Sequence, residues 1–182
     1  MKTAVFAFLF LFAISTTLPS ASADALVDSD GDLLVNGGEY YIVSQTSRGL
    51  EVAQLSNDSH PVSVIQSSTA SNGLPLTLNS PLKIRYLSTA FFLNIKFVGN
   101  EFGVWEVLDD SVKIYKQLKL VGPFKVAAYT KGFYKILYFS NSSTSSPLRV
   151  SPADGHLNTV KGPLLRVKFV KASSSSSWMS II

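Results

Sequence analysis

Asp28, Asp30 and Asp32 alternate along one short stretch, and Glu39 follows at the twelfth position counted from Asp28. Oxygen ligands at loop positions 1, 3, 5 and 12 are those of a calcium loop. The sixth position, however, holds Leu33 where the sharp turn requires glycine, and the flanks look strand-like rather than helical. The stretch reads as a polar turn, and no metal is expected. The two histidines, His60 and His156, lie in segments rich in Pro, Ser, Asp and Gly, as loops are. Neither has partners at metal-ligand spacing. A Ser-His-Asp site assembles in three dimensions, so spacing alone does not decide it. There is no G-x-S-x-G elbow and no phosphate-binding glycine loop. The residues favour binding over catalysis, and no cofactor is expected.

Composition narrows the classes further. The 182 residues include 16 Lys and Arg against 12 Asp and Glu, a formal charge of +4, with 46% apolar and 15% charged residues. Such a chain is too apolar and too weakly charged to be disordered. A charge of +4 without a Lys/Arg run does not argue for nucleic acid. No cysteine is present, which excludes disulfide scaffolds, zinc fingers and thiol enzymes. The length fits one domain.

The first 23 residues read as an address. Lys2 supplies a positive start, residues 5–14 are almost wholly apolar, and Ala21-Ser22-Ala23 matches an A-x-A cleavage pattern. The apolar run is shorter than the roughly 20 residues that span a bilayer. Residues 1–23 are therefore expected to be a secretory signal peptide, residues 24–172 one domain, and residues 173–182 a flexible serine-rich tail. The mature chain is expected outside the membrane, in the secretory pathway, with an extracellular or vacuolar destination. Asn57 and Asn141 head N-x-S acceptors for glycosylation.

These residues must be positioned by strands. Runs rich in Val, Ile, Phe and Tyr at 40–43, 62–65, 91–97, 104–108, 125–129, 133–139 and 164–170 are punctuated by Gly, Pro, Ser and Asn. Several alternate apolar and polar, which places one face in a core and the other in water. Pro81, Pro123 and Pro163 head similar segments and stand 42 and 40 residues apart. Aromatic-led strands begin at Tyr40, Phe91 and Phe133. A period near 40 means repeated supersecondary units sharing one core. Three of them fit a pseudo-threefold closed barrel with hairpin caps, an all-β β-trefoil, in which closure removes exposed edges. On periodicity alone Lys83 is a solvent-facing strand residue, with Lys125 and Arg166 as repeat partners.

The segment Leu26-Val27-Asp28-Ser29-Asp30-Gly31-Asp32-Leu33-Leu34, followed by Val35-Asn36-Gly37-Gly38-Glu39 and Tyr40-Tyr41-Ile42, resembles the N-terminal signature of the plant Kunitz-type (soybean trypsin inhibitor) family. Gly103-Val104-Trp105-Glu106-Val107 and Gly122-Pro123-Phe124-Lys125-Val126 are similar to further blocks of that family, and the resemblance covers nearly the whole mature chain. It implies a β-trefoil protease inhibitor, not an enzyme, expected as a monomer. Ser80-Pro81-Leu82-Lys83-Ile84-Arg85 would be the reactive-site loop. Lys83 would enter the primary pocket of a trypsin-like serine protease, and Lys83–Ile84 would be the reactive bond. Asn36 matches the family asparagine whose amide supports that loop. Read as residues only, Asn36-Gly37 is a turn signal. Typical members have two disulfides, whereas this chain has none, and His60 stands where the first family cysteine would align. Cysteine-free members include inhibitors of cysteine proteases, so a papain-like target is an alternative. A non-inhibitory binding or storage role is another, because trefoils host many functions.

Overall fold

The computed structural model describes residues 23–53, 62–99, 103–115, 122–130, 132–141 and 143–172. The proposed signal peptide up to residue 22, Asn57, His60 and the tail 173–182 lie outside the described residues. The first unit holds β1 (Glu39–Ser44), β2 (Leu50–Val52), β3 (Val62–Gln66) and β4 (Leu76–Asn79). The second holds β5 (Asn94–Phe97), β6 (Val104–Leu108), β7 (Ser111–Tyr115) and β8 (Phe124–Ala128). The third holds β9 (Tyr134–Phe139), β10 (Ser145–Pro147), β11 (Arg149–Val150), β12 (Leu157–Asn158) and β13 (Arg166–Lys171).

The outer strands of the units close a ring. β1 pairs with β4, β4 with β5, β8 with β9, β9 with β13, and β13 with β1, all antiparallel. The remaining seam, between β5 and β8, is bridged at Leu93 and Phe124. The inner hairpins β2–β3, β6–β7 and β11–β12 form the cap, joined through β3–β7, β12–β7 and an Ile65–His156 bridge. This is a β-trefoil. Among the described residues no helix is long and apolar enough to cross a membrane.

Alternation along the barrel strands fills the interior. Ile42, Leu76, Leu78, Ile95, Phe97, Phe124, Val126, Ile136, Val167 and Phe169 are all buried, while the residues between them on β8, β9 and β13 reach outward. Period-two strands produce this when one face is removed from water. Trp105 of β6 joins cap to barrel, with its ring 5.9 Å from Phe97 and edge-on at 6.2 Å to Phe124. Full burial of side chains of this size, each stabilising by roughly 2–3 kcal/mol, holds the fold without cross-links.

The repeat is present, but in a different register from the one the prolines indicate. Within each unit the first and last strands meet at Tyr40 with Leu76, Leu93 with Phe124, and Tyr134 with Val167. Pro75-Leu76 is thus the counterpart of Pro123-Phe124. Pro81 follows β4, whereas Pro123 leads into β8. Lys83 therefore has no repeat partner in Lys125 or Arg166, and it lies on a connection rather than in a strand. Local similarity of Pro-led segments misaligned them because the link after β4 carries its own Pro-apolar-cation run.

Candidate functional site

The N-terminal segment is a strap laid against the barrel. Leu26 and Leu34 are fully buried. Leu26 N–H donates to Leu87 O, Leu34 N–H to Leu26 O, and Leu87 N–H to Leu34 O. Between them Asp28 Oδ1 accepts the backbone N–H groups of Asp30 and Asp32 at 2.9 and 3.0 Å. An aspartate bonded to its own backbone two residues on is an Asx turn. Among the described residues no cluster of acids and histidines suits a metal. The hydroxyl oxygens of Tyr134 and Tyr40 accept the backbone N–H groups of Val27 and Val35, tying the strap to two barrel strands. It ends in a turn closed by Gly38 N–H to Val35 O, with Gly37 at φ 78°. That conformation suits glycine.

The turn aims Asn36 at the link between β4 and β5. Asn36 Oδ1 accepts Ser80 N–H at 2.7 Å, and Asn36 Nδ2 lies 3.2 Å from each of the carbonyl oxygens of Ser80, Leu82 and Ile84. Asn36 backbone N–H donates to Arg85 O at 2.9 Å, and Val35 bridges to Tyr86. Asn36 thus stands in the turn that Asn36-Gly37 signals, and its amide is hydrogen-bonded to the link at Ser80, Leu82 and Ile84. Ile84 N–H donates to Leu82 O at 2.8 Å, a three-residue turn with Lys83 at its apex. The side chains divide sharply. Ser80 is buried and Ile84 packs on the core, whereas Leu82 is 52% exposed and Lys83 and Arg85 face water. Pro81 fixes its own φ and stiffens the approach.

Other cations resembling Lys83 in sequence context are engaged. Lys125 Nζ sits 4.3 Å from the Phe92 ring centre and 5.5 Å from that of Phe139, and those rings meet edge to face. Arg166 lies over Tyr129 at 4.8 Å and donates to Gln45 Oε1 at 3.1 Å. Arg85 rests on Tyr86 at 5.1 Å. Lys83 makes no hydrogen bond, ion pair or ring contact with the described residues. Cation–ring contacts are worth about 0.5–1 kcal/mol at exposed sites, so Lys125 and Arg166 are held against the barrel wall, whereas Lys83 extends from its loop.

Ser151, Asp154 and His156 do come together, though not as a relay. Hydrogen bonds from Ser151 and from the backbone N–H of His156 lower the Asp154 pKa, in that order. Asp154 Oδ2 lies 3.1 Å from His156 Nδ1. Serine and histidine thus converge on one carboxylate, whereas nucleophilic catalysis needs the serine on the imidazole. Asn141 is exposed, and its Oδ1 accepts Ser143 and Thr144 N–H at 3.1 and 2.8 Å.

A strap and a turn-borne amide thus fasten the link at residues 80–86 to the outside of a β-trefoil. The legume Kunitz family, described as "Trypsin and protease inhibitor", matches residues 26–171. The chain belongs to this family. The Kunitz-type serine protease inhibitor BbKI of Bauhinia bauhinioides is 36% identical over 124 residues, covering 63% of this chain and 75% of that protein. Trypsin inhibitor A of Glycine max is 37% identical over 125 residues, covering 60% of this chain and 56% of its own. The structure of BbKI in complex with bovine trypsin superposes with a TM-score of 0.73 at 30% identity, covering 83% of this chain and 100% of that one. The Bauhinia bauhinioides cruzipain inhibitor BbCI gives 0.71 at 28% identity, covering 82% and 99%.

Proposed function

We propose that this protein inhibits a trypsin-like serine endopeptidase by presenting Lys83–Ile84 as a substrate-like bond. The observation that carries the reading is the single amide of Asn36 bonded to Ser80, Leu82 and Ile84, which bracket Lys83, a cation with no partner among the described residues. A long cation suits a primary pocket with a buried carboxylate. Because the loop is already ordered, it loses little freedom on docking, and more of its contact energy appears as affinity. Asn36 also reaches both sides of the bond. If the bond is cut, Leu82 stays tethered on one side and Ile84, seated on the core, on the other. The new amine remains near the acyl carbon, and religation competes with water. The protein is then an inhibitor and not an enzyme.

The family includes the cruzipain inhibitor BbCI, so a cysteine protease target is the second reading. Titration of the purified protein against trypsin, chymotrypsin and papain separates the two, with Lys83→Ala as the companion variant. Tight inhibition of trypsin that Lys83→Ala abolishes is the expected result. Inhibition of papain alone would transfer the function to the second reading, and inhibition of none to a binding or storage role. Residues 1–23 are proposed to route the chain into the secretory pathway, with residues 173–182 as a trailing segment; both are checked by N-terminal sequencing and intact mass of the secreted product.

A further inference from the structure

Charge is distributed unevenly along the chain. From residue 111 onward stand eleven of its 16 Lys and Arg residues but one of its 12 acids, Asp154. The barrel gathers described members of this excess on one wall. β8, β9, β13 and β1 are successive neighbours. With Val126, Ile136, Val167 and Phe169 buried, Lys125, Lys135, Arg166 and Lys168 lie on the outer face. Lys135 is directly opposite Arg166. Like charges so placed destabilise a sheet. None of the four has an acid partner among the described residues, and Lys135 and Lys168 have no side-chain partner there at all.

The wall runs into a cleft. Arg166 and Gln45 also line a cavity of about 660 Å³, together with Arg48, Gln66, Ser67 and Ser68. That volume is in the range of small-molecule sites; its walls set the guanidinium groups of Arg48 and Arg166, with amides and hydroxyls, beside hydrocarbon from Val150, Pro152, Pro163 and Leu165, and the carboxylate of Asp154, bonded to Ser151 and His156, is the one acid in the lining. These walls suit a hydroxylated ring bearing an acid, with a guanidinium fork for the carboxylate or sulfate. Stacked bases are a poorer match, because Phe92, Phe139 and Tyr129 already carry the cations of Lys125 and Arg166. We propose that this wall and cleft bind a linear acidic polysaccharide, its anionic groups spaced along Lys135, Lys168 and Arg166 and one ring seated beside Arg166. The cleft is lined by neither Asn36 nor residues 80–86, so the proposal stands apart from the protease reading.

The test is the affinity of the purified protein for polygalacturonate and for dextran sulfate, measured by calorimetry at several salt concentrations. Binding that weakens steeply with salt is expected, as counterion release dictates. The tighter of the two polymers assigns carboxylate or sulfate as the preferred anion. Lys135→Glu with Lys168→Glu should weaken binding roughly tenfold or more and leave protease inhibition as in the wild type. Lys168→Glu alone should weaken it more than Lys96→Glu, a reversal of equal net charge on β5. The proposal is overturned if neither polymer binds at about 0.1 M salt, if the double variant binds like wild type, if Lys96→Glu matches Lys168→Glu, or if duplex DNA binds more tightly than both polymers.

Discussion

A primary amide offers one acceptor oxygen and two N–H donors, and at Asn36 both ends face the backbone of the same loop. Asn36→Asp is the informative change, because the shape survives while the donors are lost. The carboxylate still accepts Ser80 N–H, but it turns an anion toward the carbonyls of Ser80, Leu82 and Ile84. With about 1 kcal/mol for each net hydrogen bond lost, the inhibition constant should rise on the order of a hundredfold, and prolonged incubation should convert the protein into a slowly cleaved substrate. An unchanged constant, with no cleavage by mass spectrometry, would remove Asn36 from the mechanism. Lys83→Ala should cost more, about 4 kcal/mol or a thousandfold, as buried anchors do. Lys125→Ala should leave inhibition intact, because that cation is held between Phe92 and Phe139. Equal losses from the two lysine variants would disprove the choice of Lys83. The contrast between these lysines was not legible in the periodicity, where both follow proline within two residues; only the family resemblance singled out Lys83. What separates them is which aromatic rings the barrel brings alongside.

At the scale of the element, strands with strong apolar content declared themselves and short polar ones did not. The runs at 104–108 and 133–139 coincide closely with β6 and β9. β10 is Ser-Ser-Pro, and β11 and β12 have two residues each; partners in the sheet and cap define them, not their own side chains. The proline register failed for a related reason, since equivalence is set by which residues pair across a unit. Among the described residues the barrel joint with the shortest pairing is the one between β5 and β8, bridged at Leu93 and Phe124. There the backbone passes so close that a Cβ on Gly122 would lie 1.9 Å from Leu93 O. Neither party can move without parting the seam. Gly122→Ala should therefore destabilise by several kcal/mol, beyond the usual 1–3 kcal/mol of overpacking. Gly132, at φ 77° with open space around it, should cost only about 1 kcal/mol as alanine. Thermal unfolding of both variants measures this. Similar midpoints for the two would show that the seam yields.

The whole molecule has no covalent staple, because the chain has no cysteine. A domain of about 150 residues can dispense with one, burying close to 70% of its unfolded surface. The consequence is that loop display and global stability share one source. The strap that carries Asn36 is anchored by Leu26 and Leu34 in the same core cluster that holds Ile84 and Trp105. No separate link retains the loop if the core loosens. Trp105, wedged between Phe97 and Phe124 where cap meets barrel, is the place to probe this, since it is more than 40 residues from Asn36 and 20 from Lys83 in sequence. Trp105→Ala should cost about 3–5 kcal/mol, lowering the unfolding midpoint by roughly 10 °C for a domain of this size. Inhibition measured as a function of temperature should fall at the unfolding midpoint in both proteins, displaced by that same interval. At temperatures well below either midpoint the variant should inhibit as the wild type does. Loss of inhibition far below the midpoint would mean that the loop melts on its own, and that Asn36, rather than the shared core, sets the limit of function.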